Sequence, residues 1–447
     1  MSARHLVVTV TIALSIGALS TSPRAGASTT TALGSIVGLD RYSTAAQAAT
    51  AAFTVATTVV ITSGTTFPDA LSASYLAGAV GGPILLTDPA TLSPPAAAAI
   101  TALRARTATI VGGPFAVSIP VEQQLTAMGL TVTRVSGATR YDTSAAVALS
   151  QSASHVGTVG GMPTAILASG ATFPDALAAG PLAFARALPV ILTDSATLSA
   201  PAAAALRTLG VTHVLIAGGV ASVSSAVEAA LDASGITTTR LAGADRFDTA
   251  ARIAAYAVND LGFSFTRPAL ADGTEFPDAL AAGPFAGKSL SPILLTHLVP
   301  AATAASLAAN APVISGLVGF GRAAADVPAS ALAAGATLAV NGTVTAQGTS
   351  LCGFPSSFAF TGQIASAVSA APGHLSATLT TDTGTSTVDI DLTMPGGGMT
   401  TAYTDLGATF RAAGAFVSAG GTVTLEGLAS VTMGSCTAPY TLQAAVG

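Results

Sequence analysis

The sequence predicts an α/β architecture: three tandem modules, each a small parallel sheet covered on both faces, followed by a small all-β C-terminal domain. Three observations predict it. Two sequence blocks recur three times in fixed order at a period of roughly a hundred residues. Within each copy, short continuous apolar runs alternate with helical segments punctuated by Pro and Gly. Beyond about residue 336 the texture turns to Thr, Ser, Gly and Val with period-two alternation, the pattern of half-buried antiparallel strands.

The first block reads Gly38-Leu39-Asp40-Arg41-Tyr42, Gly137-Ala138-Thr139-Arg140-Tyr141 and Gly243-Ala244-Asp245-Arg246-Phe247; the second reads Phe67-Pro68-Asp69-Ala70-Leu71, Phe173-Pro174-Asp175-Ala176-Leu177 and Phe276-Pro277-Asp278-Ala279-Leu280. Both keep their order, so whole modules repeat. In the first copy Thr58 to Thr62 predicts a strand and Phe67 to Val80 a helix, with Pro68 in its first turn, where a missing N–H costs nothing. The runs Pro83-Ile84-Leu85-Leu86-Thr87, Pro189-Val190-Ile191-Leu192-Thr193 and Pro292-Ile293-Leu294-Leu295-Thr296 predict strands buried on both faces. A further strand ends in Gly112-Gly113 and Gly218-Gly219, whereas the third copy reads Gly319-Phe320-Gly321, the divergence expected of a terminal repeat with no following neighbour. Ser225 and Glu228 predict a capping box for the helix after Gly219.

With 447 residues, half of them apolar, the chain is long enough for several domains. Charged residues are 8% and the formal net charge is −5, without the basic footprint of a nucleic-acid binder. Arg4 and His5, an apolar stretch from Leu6 to Leu19 and Ala25-Gly26-Ala27 predict a secretory signal cleaved after Ala27. No later apolar run reaches the length of roughly 18 residues that spans a bilayer, so the mature chain is expected to be exported without a transmembrane segment. The division is then a signal over 1–27, repeats over 31–133, 134–239 and 240–335, and a β-rich domain over 336–447.

These blocks resemble the cell wall binding repeat 2 family of clostridial and actinobacterial surface proteins. The likeness rests on G-x-D-R-[YF]-x-T-A, F-P-D-A-L, P-[IV]-[IL]-L-T and V-G-G-x-x-[AV]-V-S, and covers roughly Leu33 to Ala325. It implies three Rossmann-like modules in a pseudo-threefold arrangement, and non-covalent attachment to an anionic cell wall glycopolymer. Two other classes accompany the resemblance: a wall hydrolase or hydrolase accessory factor, because related repeats occur beside amidases, and a structural surface-layer component. Thr139 in place of Asp, and the altered third glycine loop, depart from the pattern.

Arg41, Arg140 and Arg246 are conspicuous in a chain with a single lysine, Lys288. A planar guanidinium suits the phosphate of a glycopolymer; equally it suits an ion pair that ties one repeat to another through Asp69, Asp175 or Asp278. Each of those aspartates falls in the first turn of a helix that follows a strand, which suits either of two roles: a carboxylate favoured by the helix dipole, or an acceptor for sugar hydroxyls. Gly112, Gly113, Gly218 and Gly219 predict tight strand-to-helix turns, or N–H groups that meet polymer phosphate. No G-x-G-x-x-G, G-K-[ST], H-E-x-x-H or G-x-S-x-G occurs, so no cofactor, metal or catalytic residue is expected. In the last segment Val388, Ile390, Leu392 and Met394 alternate with Asp389, Asp391 and Thr393, and Thr422 to Glu426 repeats the period, which predicts a small sandwich or barrel. Export and an even count predict a Cys352–Cys436 disulfide there.

Overall fold

The computed structural model describes residues 32–347 and seven further strands between 357 and 446. The signal, Cys352 and the run from Leu392 to Met394 lie outside the described residues.

Three sheets follow one plan. Strand β1 (Ala32–Ile36) and helix α1 (Arg41–Ala52) lead into β2 (Thr58–Ser63), α2 (Ala73–Val80), β3 (Ile84–Thr87), α3 (Pro94–Ala102), β4 (Thr107–Val111) and α4 (Ile119–Ala127). The second copy runs β5 (Thr131–Val135), α5 (Arg140–Leu149), a two-residue β6 (Thr158–Val159), β7 (Met162–Ser169), α6 (Pro174–Ala178), α7 (Gly180–Arg186), β8 (Val190–Thr193), α8 (Ala200–Thr208), β9 (His213–Ala217) and α9 (Ser225–Ala233). The third runs β10 (Thr237–Leu241), α10 (Arg246–Leu261), β11 (Ala269–Asp272), α11 (Pro277–Lys288), β12 (Ile293–Thr296), α12 (Ala301–Asn310), β13 (Gly316–Phe320) and α13 (Val327–Ala333). As the continuous apolar runs require, β3, β8 and β12 are buried along their whole length.

The pairing exchanges strands between repeats. The parallel orders are β3-β2-β4-β5, β8-β7-β9-β10 and β12-β11-β13-β1. Each fourth strand sits in the sheet of one repeat, while the helix after it, α5, α10 or α1, packs on the next. The G-x-D-R turn is therefore the crossing from one repeat to its neighbour. Because β1 pairs with β13 in register Ala32↔Gly316 to Ile36↔Phe320, the N-terminal strand closes the series into a ring.

Helices α2, α7 and α11 pack together in the middle of that ring within one apolar core shared by all three repeats. Equivalent positions Ser74, Gly180 and Gly283, each seven residues after the Phe of its F-P-D block, meet there. A Cβ added at Gly283 would lie 2.8 Å from Ser74 Oγ, and one at Gly180 3.1 Å from it, so the axis accepts only small residues.

The last segment is a closed antiparallel barrel: β14 (Thr337–Ala346), β15 (Ser357–Ser366), β16 (His374–Thr381), β17 (Gly384–Asp391), β18 (Gly398–Asp405), β19 (Ala408–Ala419), β20 (Thr422–Met433) and β21 (Cys436–Val446). Neighbours in sequence pair, and β14 with β21 completes the circle, so no edge remains unpaired. The barrel shares a core with the third repeat: Leu332 and Ala331 of α13 cluster with Leu338, Ile364, Leu425 and Tyr440.

That shared core corrects the expected reason for the third copy's divergence. This copy is not short of neighbours. Its α13 is buried from Val327 to Leu332, whereas α4 and α9, its counterparts, bury only Val121 with Leu125 and Val227 with Leu231. The barrel lies over the face that the other copies leave to water, and the sequence of α13 is apolar accordingly.

Candidate binding site at the junctions between repeats

Four of the five positions of the first block have a structural task; the second, Leu39 in the first copy, is exposed. Asp40 and Asp245 cap their helices, accepting the backbone N–H of Ser43 (2.7 Å) and of Asp248 (2.9 Å). Thr139 performs the same task through a capping box with Asp142, whose carboxylate accepts the Thr139 N–H at 3.0 Å, so the missing Asp leaves the helix start intact. The hydroxyls of Thr44, Thr143 and Thr249 each accept the N–H of the block's glycine, Gly38, Gly137 or Gly243, at 3.1 Å.

The arginines reach inward. Arg41, Arg140 and Arg246 each donate from Nη1 to the carbonyl of the glycine after the repeat's central strand: Gly64 (2.7 Å), Gly170 (2.6 Å) and Gly273 (2.8 Å). The adjoining ring of Tyr42, Tyr141 or Phe247 lies against that same glycine. Each arginine also faces the preceding repeat: the Arg140 guanidinium lies 5.9 Å from the Phe67 ring centre and that of Arg246 6.0 Å from Phe173. Phe67, Phe173 and Phe276 pack tilted and edge-to-face around the axis, with centroids 5.5, 5.9 and 6.1 Å apart.

Across each junction stands the aspartate of the preceding repeat. Asp69 is faced by Arg140, the Thr143 hydroxyl and the Gly113 N–H; Asp175 by Arg246 and the Ser222 hydroxyl, which donates at 2.9 Å; Asp278 by Arg41 and the Arg322 N–H. The structure brings these six residues together cyclically: Asp69 with Arg140, Asp175 with Arg246, Asp278 with Arg41. They are not direct ion pairs; the one ion contact of these arginines among the described residues joins Arg41 to Glu275, at 3.9 Å.

Gly112 and Gly218 have φ of 118° and 110°, and Gly321, with φ of 53°, takes the equivalent place in the third copy. A Cβ at Gly112 would come within 3.0 Å of Asp69 Oδ2, and the approach is closer still at Gly218 to Asp175 and at Gly321 to Asp278. The first glycine of the pair is therefore needed twice over, for its backbone and for room beside the carboxylate. Gly113 and Gly219 open on free space, and Arg322 replaces them in the third copy.

Two residue pairs escaped the sequence reading. Arg134 binds Glu122 through Nε and Nη2 (3.0 and 2.7 Å) and the Gly112 carbonyl through Nη1 (2.8 Å). Arg240 repeats this with Glu228 (3.2 and 2.7 Å) and Gly218 (2.9 Å). These clamps fix the glycine turns. Glu228 therefore does not serve a capping box: the N-cap is Ser224, whose hydroxyl accepts the Val227 N–H, and Glu228 turns to Arg240 instead. The repeated Arg on the fourth strand, twelve residues after a Glu in both copies, was the signal to follow. In the third copy Ser35 holds the arginine's place, half-buried, its hydroxyl oxygen shielded from solvent and without a partner among the described residues.

Burial raises the carboxyl pKa of Asp69, Asp175 and Asp278, and the facing arginines recover only part of the cost. A folded-state pKa above the unfolded one gives stability that is complete below the unfolded value, near pH 4, and is lost as pH rises through the folded value. Asp175→Asn, which keeps the shape and the Ser222 contact, is expected to raise the melting temperature at pH 7.5 by a few degrees and to leave it unchanged near pH 4. Thermal scans at the two pH values check this; a lowered melting temperature at pH 7.5 would count against it.

His213 has a structural place. Thr164 and Thr239 hold His213 between them, and burial lowers its pKa. Among the described residues no group of three or more His, Cys, Asp or Glu is placed to hold a metal, and no helix is long and apolar enough to cross a membrane.

Known proteins resemble this chain. The chain is 28% identical over 260 residues to the N-acetylmuramoyl-L-alanine amidase LytC of Bacillus subtilis, covering 58% of this chain and 49% of that one. It is 29% identical over 270 residues to the Amidase enhancer of the same organism, covering 59% and 35%. The chain thus spans half or less of these relatives' length. Among solved structures, Cwp8 from Clostridium difficile superposes with a TM-score of 0.59 at 26% identity, over 68% of this chain and 51% of that one. Cwp6 from the same organism shares the fold, with a TM-score of 0.59 at 23% identity over 68% and 48%. The family model for cell wall binding domain 2 (CWB2) matches residues 35–122, 134–228 and 240–344, and with three matches across most of its length the chain belongs to that family.

Proposed function

We propose that the ring of repeats holds an exported protein to the wall by binding an anionic wall glycopolymer across the junctions, and that the barrel is the part it displays. Arg41, Arg140 and Arg246 supply positive charge, while Asp69, Asp175 and Asp278 accept sugar hydroxyls beside the N–H groups of the glycine turns. The observation that carries this is the recurrence of a desolvated carboxylate in all three copies. Helix-dipole stabilisation of roughly 0.3–1 kcal/mol does not account for a group whose pKa is raised by burial. A carboxylate kept at a net cost beside an arginine and a backbone turn fits a ligand-binding group. Family membership and the wall proteins among the relatives point the same way. The reading assigns binding to this chain rather than the hydrolysis named for one relative.

The test is retention of the full chain on purified walls, before and after chemical removal of their anionic polymers. Retention is expected to fall at least tenfold after removal, and to weaken as salt rises through the physiological range, because exposed charges are screened over about 8–10 Å. Equal retention on stripped walls would place recognition on peptidoglycan instead.

A further inference from the structure

The three junctions are not equivalent. Where the third repeat meets the first, a cavity of about 320 Å³ opens, lined in part by Gly38, Leu39, Arg41, Asp278, Gly321 and Arg322. That is the lower end of the size range of small-molecule sites, ~300–1,000 Å³. Two charges here have no counterpart at the other junctions. Glu275 stands where the other copies have Thr66 and Thr172, and Arg322 where they have Gly113 and Gly219. Glu275 reaches towards both guanidinium groups: Oε2 lies 3.9 Å from Arg41 Nη2, and Oε1 lies 3.6 Å from Arg322 Nη1.

Those distances are telling. A committed Arg–carboxylate pair closes to about 2.7–2.9 Å, as Arg134 and Arg240 do with their glutamates at 2.7 Å. Glu275 is stretched between two cations and satisfies neither. Its side chain is 45% exposed, and those of Arg41 and Arg322 are 37% and 69% exposed, so all three meet solvent from the cavity mouth. Leu39, fully exposed on the rim, offers an apolar surface for the face of a sugar.

Resting on the polymer-binding reading above, we propose that this junction is a distinct subsite for an oxyanion of the polymer, a phosphodiester or a uronate carboxylate, held between Arg41 and Arg322, and that Glu275 is an internal competitor that sets its affinity. The incoming oxyanion displaces the Glu275 carboxylate from the two guanidinium groups. The other two junctions, with threonine and glycine in place of these charges, contact the polymer through one arginine each.

The experiment measures binding of soluble poly(glycerol phosphate) and of polygalacturonate to the full chain by calorimetry at low salt, beside wall retention of the same samples. Glu275→Gln is expected to tighten binding of one polymer by up to about fivefold, the range for an exposed charge pair. The polymer that responds identifies the oxyanion. Adding Arg322→Gly, the residue of the other copies, is expected to abolish the gain, and the melting temperature of both variants is expected to stay within a degree or two of the parent. Unchanged or weakened polymer binding by Glu275→Gln, with the parent still retained on walls, overturns this subsite and leaves the general reading intact. Loss of wall retention in the parent would fall on the general reading instead.

Discussion

An Ile36→Asp variant is expected to lose about 3–5 kcal/mol of folding stability, the cost of leaving an uncompensated charge among apolar neighbours. Ile36 ends β1, pairs in register with Phe320 and belongs to the core shared by all three repeats. The loss is predicted to be localised. With β1 displaced, β13 becomes an unpaired edge and α1 loses the strand that leads into it, while the sheets built from β2–β5 and β7–β10 keep their own ladders. Denaturant unfolding gives the magnitude, and amide exchange gives the place: protection should fall first in β13 and α13. A variant with the parental midpoint and a protected β13 would show that the N-terminal strand is dispensable to the ring.

Replacing Arg41, Arg140 and Arg246 together by Gln is expected to cost about 4–6 kcal/mol at neutral pH. A hydrogen bond from a charged donor contributes about 1.5–3 kcal/mol, and three are lost at Gly64, Gly170 and Gly273. The sum falls short of strict additivity because the sites share the Phe67–Phe173–Phe276 cluster. The pH dependence separates this from a simple packing defect. Without the guanidinium groups, the pKa values of Asp69, Asp175 and Asp278 rise further above their unfolded values, so more stability is lost as pH rises through them. The gap between parent and variant should be widest near pH 7.5 and narrow towards pH 4. If melting is unchanged at both pH values and only wall retention falls, the arginines serve the polymer alone.

Much of this was legible in the sequence because repetition makes a weak signal strong. The strands over Ile84–Thr87, Val190–Thr193 and Ile293–Thr296 and the helices opening at Pro174 and Pro277 follow from local pattern. In the first copy the predicted continuous helix instead begins with a 3-10 turn over Asp69–Ser72. The six charged residues of the junctions were equally visible, because each recurs in a block. Their cyclic pairing was not, since a repeat does not say which neighbour's Arg its Asp faces. For the same reason the residues of β1 fall within the first repeat by sequence, although they pair in the sheet of the third. Glu275 and Arg322 were invisible for the opposite reason. They break the repeat, and a departure looks like decay until the structure shows two departures meeting in one cavity.

The strand exchange fixes how many copies the design admits. Each repeat borrows its fourth strand from the next, and the debt of the last is settled by the segment before the first. In an open solenoid, copy number drifts freely, because an inserted unit finds the same neighbours as any other. Here the helices α2, α7 and α11 meet at one axis through Ser74, Gly180 and Gly283. A fourth unit would find no place at that axis. Insertion of a fourth unit is thus opposed by geometry, whereas the loops around the ring are free of that constraint.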